Sequence, residues 1–114
     1  GLAPLSWSND MLLGTNERSV ECCVFFDKTH TRPNGQMFNT VTNGKLFKGE
    51  NLAVASSFDA KQFFDAWKNS DQHNQNMLNP AYKTVSISIF VASPSNPYAN
   101  NSGYYNFGIQ NFGK

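Results

Sequence analysis

The stretch FFDAWKNSDQHNQNMLNP, residues 63–80, decides the fold, because it predicts a buried helix, a short polar helix and an abrupt stop. Asp59 precedes it as a helix N-cap, and Gln62 three residues on completes a capping box. Phe58 and Phe63 form the matching hydrophobic staple. Helical spacing then predicts one buried side for the long helix, formed by Ala60, Phe63, Phe64 and Trp67.

The second half of this stretch presents a histidine. Residues 69–71 end the long helix and cap a short one through Met77-Leu78, after which Pro80 prevents continuation. His73 lies on this short helix among polar residues. No local motif assigns it a role, so its function depends on what the fold brings near it.

Downstream of the stretch, the apolar residues change from helical to alternating spacing. Val85, Ile87, Ile89 and Val91 alternate with mainly polar residues and predict a strand with one face packed on helices. A polar loop over residues 94–103 then leads to a second strand over residues 104–112, its hairpin partner. For the aromatic residues of this region, strand packing is favoured over a ligand groove; they are Tyr98, Tyr104, Tyr105, Phe107 and Phe112.

Upstream, an extended lead-in over residues 1–7 precedes a helix that Ser8 or Asn9 caps and that runs to about Phe26. Its apolar side is predicted to be Leu13, Val20, Cys23 and Val24, interrupted by Asn16, Glu17 and Arg18. A loop, a short helical turn and a strand-like segment follow, over residues 27–35, 36–42 and 46–55.

The composition restricts the classes of function. The 114 residues fit one domain, and a net charge of +1 with scattered Lys and Arg makes nucleic acid and anionic membranes poor partners. No apolar run is long enough to cross a bilayer. The adjacent Cys22 and Cys23 cannot form the usual loop-closing disulfide, so core packing is favoured for them over a reactive thiol.

Three residues could carry chemistry, namely His30, His73 and Glu50. Glu50 is flanked by apolar residues, so its carboxylate is either hydrogen-bonded in the interior or faces a cleft. Two imidazoles and one carboxylate would form a three-ligand zinc site with an open position for water. From the residues alone, solvated or hydrogen-bonded histidines are favoured over this metal site.

Five ordered segments spanning essentially the whole chain resemble a known family. They are Leu5-Ser6-Trp7, His30-Thr-Arg-Pro-Asn-Gly35, Gly49-Glu-Asn-Leu-Ala53, Ala66-Trp-Lys-Asn-Ser70 through His73 to Met77-Leu-Asn-Pro80, and Gln110-Asn-Phe-Gly113. In this order they resemble the CAP superfamily in its bacterial form. This is the SCP-like extracellular domain shared by cysteine-rich secretory proteins, antigen 5 and plant pathogenesis-related 1 proteins.

The resemblance implies an α+β fold, an α-β-α sandwich with a three-stranded antiparallel sheet between helical layers. It also implies that residues 1–114 are a single domain of this type without the family's first helix, truncated at its N-terminus, and that an apolar patch near Trp7 is exposed. The implied cleft is lined by His30, Glu50, His73, Ser70 and Asn51. Ser70 stands where eukaryotic members carry a second cleft glutamate, and some members bind zinc or another divalent ion through residues matching His30, His73 and Glu50.

The function that the resemblance implies first is a secreted or cell-surface binding or interaction module, whose ligand is a protein, peptide, glycan or lipid. One alternative is a zinc-dependent hydrolase or protease that uses the same cleft. A further alternative is a lipid or sterol carrier, which requires an apolar cavity.

Overall fold

The computed structural model describes residues 3–93, 95–96 and 104–114. The predicted Tyr98 and most of the predicted loop over residues 94–103 lie outside the described residues. In chain order the elements are β1 (Ser6–Trp7), α1 (Asn9–Val24), a 3₁₀ helix (Phe38–Thr42), β2 (Gly49–Ala55), α2 (Ala60–Lys68), α3 (Asp71–Met77), β3 (Thr84–Val91) and β4 (Asn106–Gly113). None of the described helices is long and apolar enough to cross a membrane.

The strands form one sheet in the order β1-β3-β4-β2. β4 pairs antiparallel with both β2 and β3, and β1 adds a short parallel pairing in which Ser6 opposes Thr84 and Trp7 opposes Val85. The α+β class and the β3-β4 hairpin are confirmed, but the prediction of three antiparallel strands is wrong, because the described sheet has four strands. Two residues of parallel pairing leave no pattern in the sequence, since their partner lies far along the chain.

Helices cover both faces of the sheet. On one face α1 packs through Cys22 and Cys23 against Leu52 of β2, Phe107 and Ile109 of β4, and Ala92, which directly follows β3. On the other face α2 contributes Phe63 and Trp67, which pack with Ala53, Ala55, Met77, Ile87 and Ile89. The burial of both cysteines confirms their prediction as core residues.

β3 is covered on both faces, not on one. Ile87 and Ile89 face α2, as the alternation predicts. Ser86 on the opposite side is fully buried, and the Ser88 hydroxyl donates to the Ser19 hydroxyl of α1 at 3.4 Å. Small polar residues therefore lie beneath α1, where the alternation predicts an exposed face.

Of the four residues predicted for the apolar side of α1, only Cys23 is buried. Leu13, Val20 and Val24 are 83%, 47% and 67% exposed. The buried side carries several small or polar residues and consists of Met11, Gly14, Thr15, Arg18, Ser19, Cys22 and Cys23. Arg18 belongs to this side because a buried carboxylate, Glu50, pairs with it.

α2 begins at its predicted cap, since the Asp59 carboxylate accepts from the Lys61 amide at 3.0 Å. The capping box is absent, because Gln62 bonds the hydroxyls of Ser56 and Ser57 instead. The staple is also not supported, because Phe58 is 67% exposed. Of the predicted buried side only Phe63 and Trp67 are buried, whereas Ala60 and Phe64 are exposed.

The start of the described chain has an exposed aromatic side chain. Trp7 is 51% exposed, and its indole N–H donates to the Asn9 side chain at 3.0 Å. The apolar patch expected near it stays a prediction.

Candidate functional site

β2 directs two neighbouring predicted site residues to opposite faces of the sheet. Successive side chains of a strand alternate between its faces, so Glu50 points towards α1 and Asn51 towards α3. β2 is also the last strand of the described sheet, so one of its edges has no neighbouring strand. The predicted site is therefore built around the edge of the sheet.

The Glu50 carboxylate is fully engaged by neighbouring groups. Arg18 donates to both oxygens, from Nε to Oε2 at 2.9 Å and from Nη2 to Oε1 at 2.7 Å. Asn111 Nδ2 donates to Oε2 at 2.9 Å, and His30 Nδ1 lies 3.0 Å from Oε1. Burial by itself would raise the pKa of Glu50, but the hydrogen bonds from Arg18 and His30, the charge of Arg18 and the Asn111 contact together lower it.

Arg18 is the main site residue that the sequence reasoning missed. Its side chain is 1% exposed, and besides Glu50 it bonds Glu21 Oε1 at 3.0 Å. Two signals could have found it. Arg18 lies at helical spacing from Met11 and Thr15, and an interior carboxylate such as Glu50 needs a cation.

The loop that carries His30 is tied to the same ionic network. Arg32 forms a bidentate pair with Glu21, with Nε and Nη2 within 3.1 Å of its oxygens, and Nη1 donates to Thr40 at 3.0 Å. His30 has a φ of 64°, an uncommon backbone conformation outside glycine, and its carbonyl accepts from the Phe38 amide at 3.0 Å. These contacts hold His30 against Glu50.

His73 is positioned by Ser70 and Asn51. Its Nδ1 lies 2.8 Å from the Ser70 hydroxyl, and its carbonyl accepts from Asn51 Nδ2 at 3.1 Å. Asn51 is fully buried and also accepts from Asn76 Nδ2 at 2.9 Å, so it fastens α3 to β2. Burial, and then the charge of His30, lower the pKa of His73.

A cavity of about 400 Å³, here called the edge cavity, brings together His30, Glu50 and His73. Its lining residues are Phe26, Lys28, His30, Glu50, Leu52, Ala53, Val54, Gln72, His73 and Asn76. Ser70 and Asn51 are not among them, although both contact His73. Three of the five predicted cleft residues thus line the edge cavity, while the other two hold one of these three in place.

The arrangement does not fit a metal ion as it stands. Within residues 3–93, 95–96 and 104–114, no group of three or more His, Cys, Asp or Glu side chains is arranged to hold one. Both Glu50 oxygens already accept hydrogen bonds from Arg18. A Glu50 oxygen that coordinated a metal ion would have to give up its bond to Arg18. The metal set of His30, His73 and Glu50 stays a prediction.

Comparison with known proteins identifies relatives along the whole chain. Residues 1–112 match the sequence model of the cysteine-rich secretory protein family, CAP. The fold is similar to that of an extracellular protein containing an SCP domain from Bacillus anthracis strain Ames (TM-score 0.73, 20% identity), covering 99% of this chain and 34% of that one. It is also similar to an outer surface protein from Borrelia burgdorferi (TM-score 0.70, 17% identity), covering 99% and 79%. The chain thus spans about a third of the Bacillus protein, and the search of curated sequences found no match.

Proposed function

The chain belongs to the cysteine-rich secretory protein (CAP) family, and from this membership we propose that it is a secreted or cell-surface binding module whose ligand occupies the edge cavity. The two similar structures are those of an extracellular protein and an outer surface protein, which supports this location. The α-β-α layering, with α1 on one face of the sheet and α2 with α3 on the other, leaves the edge cavity open at the border between the layers.

The observation that carries the proposal is the hydrogen bonding of the two imidazoles. His30 and His73 each use Nδ1 for a contact with a protein oxygen, and neither Nε2 has a hydrogen-bond partner among the described residues. An imidazole oriented through one nitrogen presents the other to a ligand. The edge cavity therefore offers two oriented hydrogen-bonding groups beside a carboxylate that is already paired.

The same geometry gives the alternatives less support. A zinc-dependent hydrolase would use Glu50 as a ligand, yet its charge is offset by Arg18. A lipid or sterol carrier requires an apolar cavity, yet the titratable side chains of Lys28, His30 and His73 line this one. A binding module requires neither a free Glu50 carboxylate nor apolar walls.

Zinc titration by calorimetry separates the binding module from the metalloenzyme. We expect wild type and His73→Ala to give the same weak heats, because Glu50 is held by Arg18. A one-to-one site that is present in wild type and lost in His73→Ala would support the hydrolase and contradict the proposal.

Ligand binding in the edge cavity can be followed through the histidines. Fragments of several classes (carboxylates, amides, sugars and short acyl chains) are added to isotope-labelled protein while the imidazole signals of His30 and His73 are recorded by NMR. We expect at least one class to shift both signals, and Gln72→Trp, which narrows the edge cavity, to abolish the shifts. Gln75→Trp on the same helix is the control, because Gln75 is exposed and does not line the edge cavity.

A further inference from the structure

The edge of β2 that faces away from β4 has no neighbouring strand in the described sheet and borders the edge cavity. Among the described strands, β2 pairs only with β4. Within the described part of the chain, no loop or side chain hydrogen-bonds the backbone of residues 50–54 apart from this pairing. An edge strand with unpaired N–H and C=O groups is a template for another extended chain.

The shape of the edge cavity follows this edge. Leu52, Ala53 and Val54 all line it, although alternation sends Ala53 to the opposite face from its neighbours. A cavity that touches three consecutive residues of a strand lies along its edge and not on one face. Three residues of strand span about 10 Å, which matches an extended segment of three to four residues.

The charges differ along the edge cavity. His30 contacts Glu50, and the His73 backbone contacts Asn51, so both imidazoles lie at the beginning of β2. Lys28 also lines the edge cavity and forms no ion pair with a described residue. Of the described residues that line the edge cavity, Glu50 alone carries a carboxylate, and Arg18 already offsets its charge. The groups left for a ligand are therefore basic or neutral, and they suit a carboxylate.

We propose that the ligand of the edge cavity is an extended peptide that pairs with the free edge of β2 and places a carboxylate among Lys28, His30 and His73. The carboxylate is either a C-terminus or an Asp or Glu side chain. Apolar side chains of the peptide contact Phe26, Leu52 and Val54 further along. This inference rests on the proposed binding function and names the class of its ligand.

Selection from peptide mixtures tests the ligand class without assuming a sequence. Fully randomised N-acetylated hexapeptides, made once with a free C-terminal carboxylate and once as amides, are passed over the immobilised protein, and the retained peptides are sequenced by mass spectrometry. We expect carboxylate-bearing peptides to be enriched at least about tenfold. Retention of the amide mixture only through peptides with Asp or Glu assigns a side chain, and preference for the free-acid mixture assigns a C-terminus.

Backbone pairing is tested on the best retained peptide. In an extended chain only alternate residues direct their N–H towards a given neighbour. The peptide is therefore N-methylated at alternate positions in the two complementary patterns. We expect one pattern to weaken binding at least about tenfold and the other to leave it within about twofold. Equal effects of both patterns overturn the pairing.

Two matched pairs of variants locate the binding. Gln72→Trp and Lys28→Glu change the edge cavity, whereas Gln75→Trp and Lys45→Glu change exposed residues outside it. We expect Gln72→Trp and Lys28→Glu each to raise Kd for the best peptide at least about tenfold. The matched controls, Gln75→Trp and Lys45→Glu, should leave Kd within about twofold.

The outcomes separate this inference from the proposed function. The inference is overturned if the wild-type protein retains no more peptide than the Gln72→Trp variant. It is also overturned if peptides with and without a carboxylate are retained equally. If fragments of another class still shift the His30 and His73 signals, the binding module stands with a different ligand. If neither peptides nor fragments bind, both proposals fail.

Discussion

The guanidinium of Arg18 and the carboxylate of Glu50 lie in the interior, with side chains 1% and 0% exposed, and they meet through two hydrogen bonds. Burying either charge alone costs several kcal/mol, and bidentate geometry is what offsets that cost. Arg18 also offsets the negative charge of Glu50 beside the edge cavity. Under the proposed binding function, a ligand of the two histidines therefore meets no uncompensated carboxylate among the described lining residues.

Removing the charge of Glu50 should destabilise the protein strongly. Glu50→Gln leaves the guanidinium of Arg18 buried without its main counter-charge, so we expect the free energy of unfolding to fall by about 3 to 5 kcal/mol. Urea denaturation at neutral pH measures it. Glu17→Gln is the control, because that side chain is 56% exposed and lies 3.4 Å from Arg32; we expect a change below about 0.5 kcal/mol. Equal effects of the two substitutions would contradict the buried pair.

His73 should make stability depend on pH in the mildly acidic range. Burial and the charge of His30 lower its pKa in the folded protein. The unfolded chain, with a pKa of about 6.5, then binds more protons at lower pH, so the free energy of unfolding decreases as pH falls below about 6.5. The pKa of Glu50 is also lowered, but its contribution is lost only as pH falls below about 4.3.

The variant His73→Gln isolates this effect. Urea denaturation of wild type and variant between about pH 8 and pH 5 should show a smaller decrease in the variant, because the titrating group is gone. If the free energy of unfolding falls equally with pH in wild type and variant, His73 has the same pKa in the folded and the unfolded protein.

Among the elements, α2 and β4 are joined by a close contact that requires glycine. A Cβ at position 108 would overlap the ring of Phe63, lying 2.6 Å from Cε1. Such overlap with a ring forces side chains or backbone to shift. The position of α2 on the sheet therefore depends on the smallest residue at this point of β4.

A double-mutant cycle tests this contact. We expect Gly108→Ala to lower the free energy of unfolding by about 1 to 3 kcal/mol. In the background of Phe63→Leu, which removes the ring, the same substitution should cost clearly less, and urea denaturation of the four proteins measures the coupling. Additive effects would show that the ring and the glycine do not meet.

For the molecule as a whole, the two helical layers close over a sheet whose core includes both cysteines. Burial raises the pKa of Cys22 to about 12 and that of Cys23 to about 11. Because both thiols are buried, we expect a reagent to reach them only when α1 leaves the sheet. Their reactivity therefore reports on opening of the whole domain.

Thiol labelling should match global unfolding. In the single-cysteine variants Cys22→Ala and Cys23→Ala, we expect the opening free energy from labelling kinetics to equal the unfolding free energy of the same variant in urea. Fast labelling of either thiol in the native protein would show that the end of α1 opens separately.

Local signals in the sequence were sufficient to predict most of the helices and strands. The Asp59 cap, the stop at Pro80 and the alternation of β3 act within a few residues, so they can be read without a partner. Five ordered segments were likewise sufficient for the family, which the match over residues 1–112 confirms. The meeting of His30, Glu50 and His73 at one cavity was implied by that resemblance and not by the local pattern.

The tertiary structure alone decided which side of α1 is buried, how β1 pairs and which partners Glu50 has. Arg18 and Asn111 lie 32 and 61 residues from Glu50 along the chain, and no local pattern can show that their side chains meet. Apolar spacing predicted Leu13, Val20, Cys23 and Val24 as the core side of α1, but only Cys23 is buried. The helix instead turns Arg18 inwards, because the buried carboxylate of Glu50 needs a cation. The sequence by itself therefore determined the elements and the family, and the long-range pairing of charges decided the orientation of α1 and the chemistry of the site.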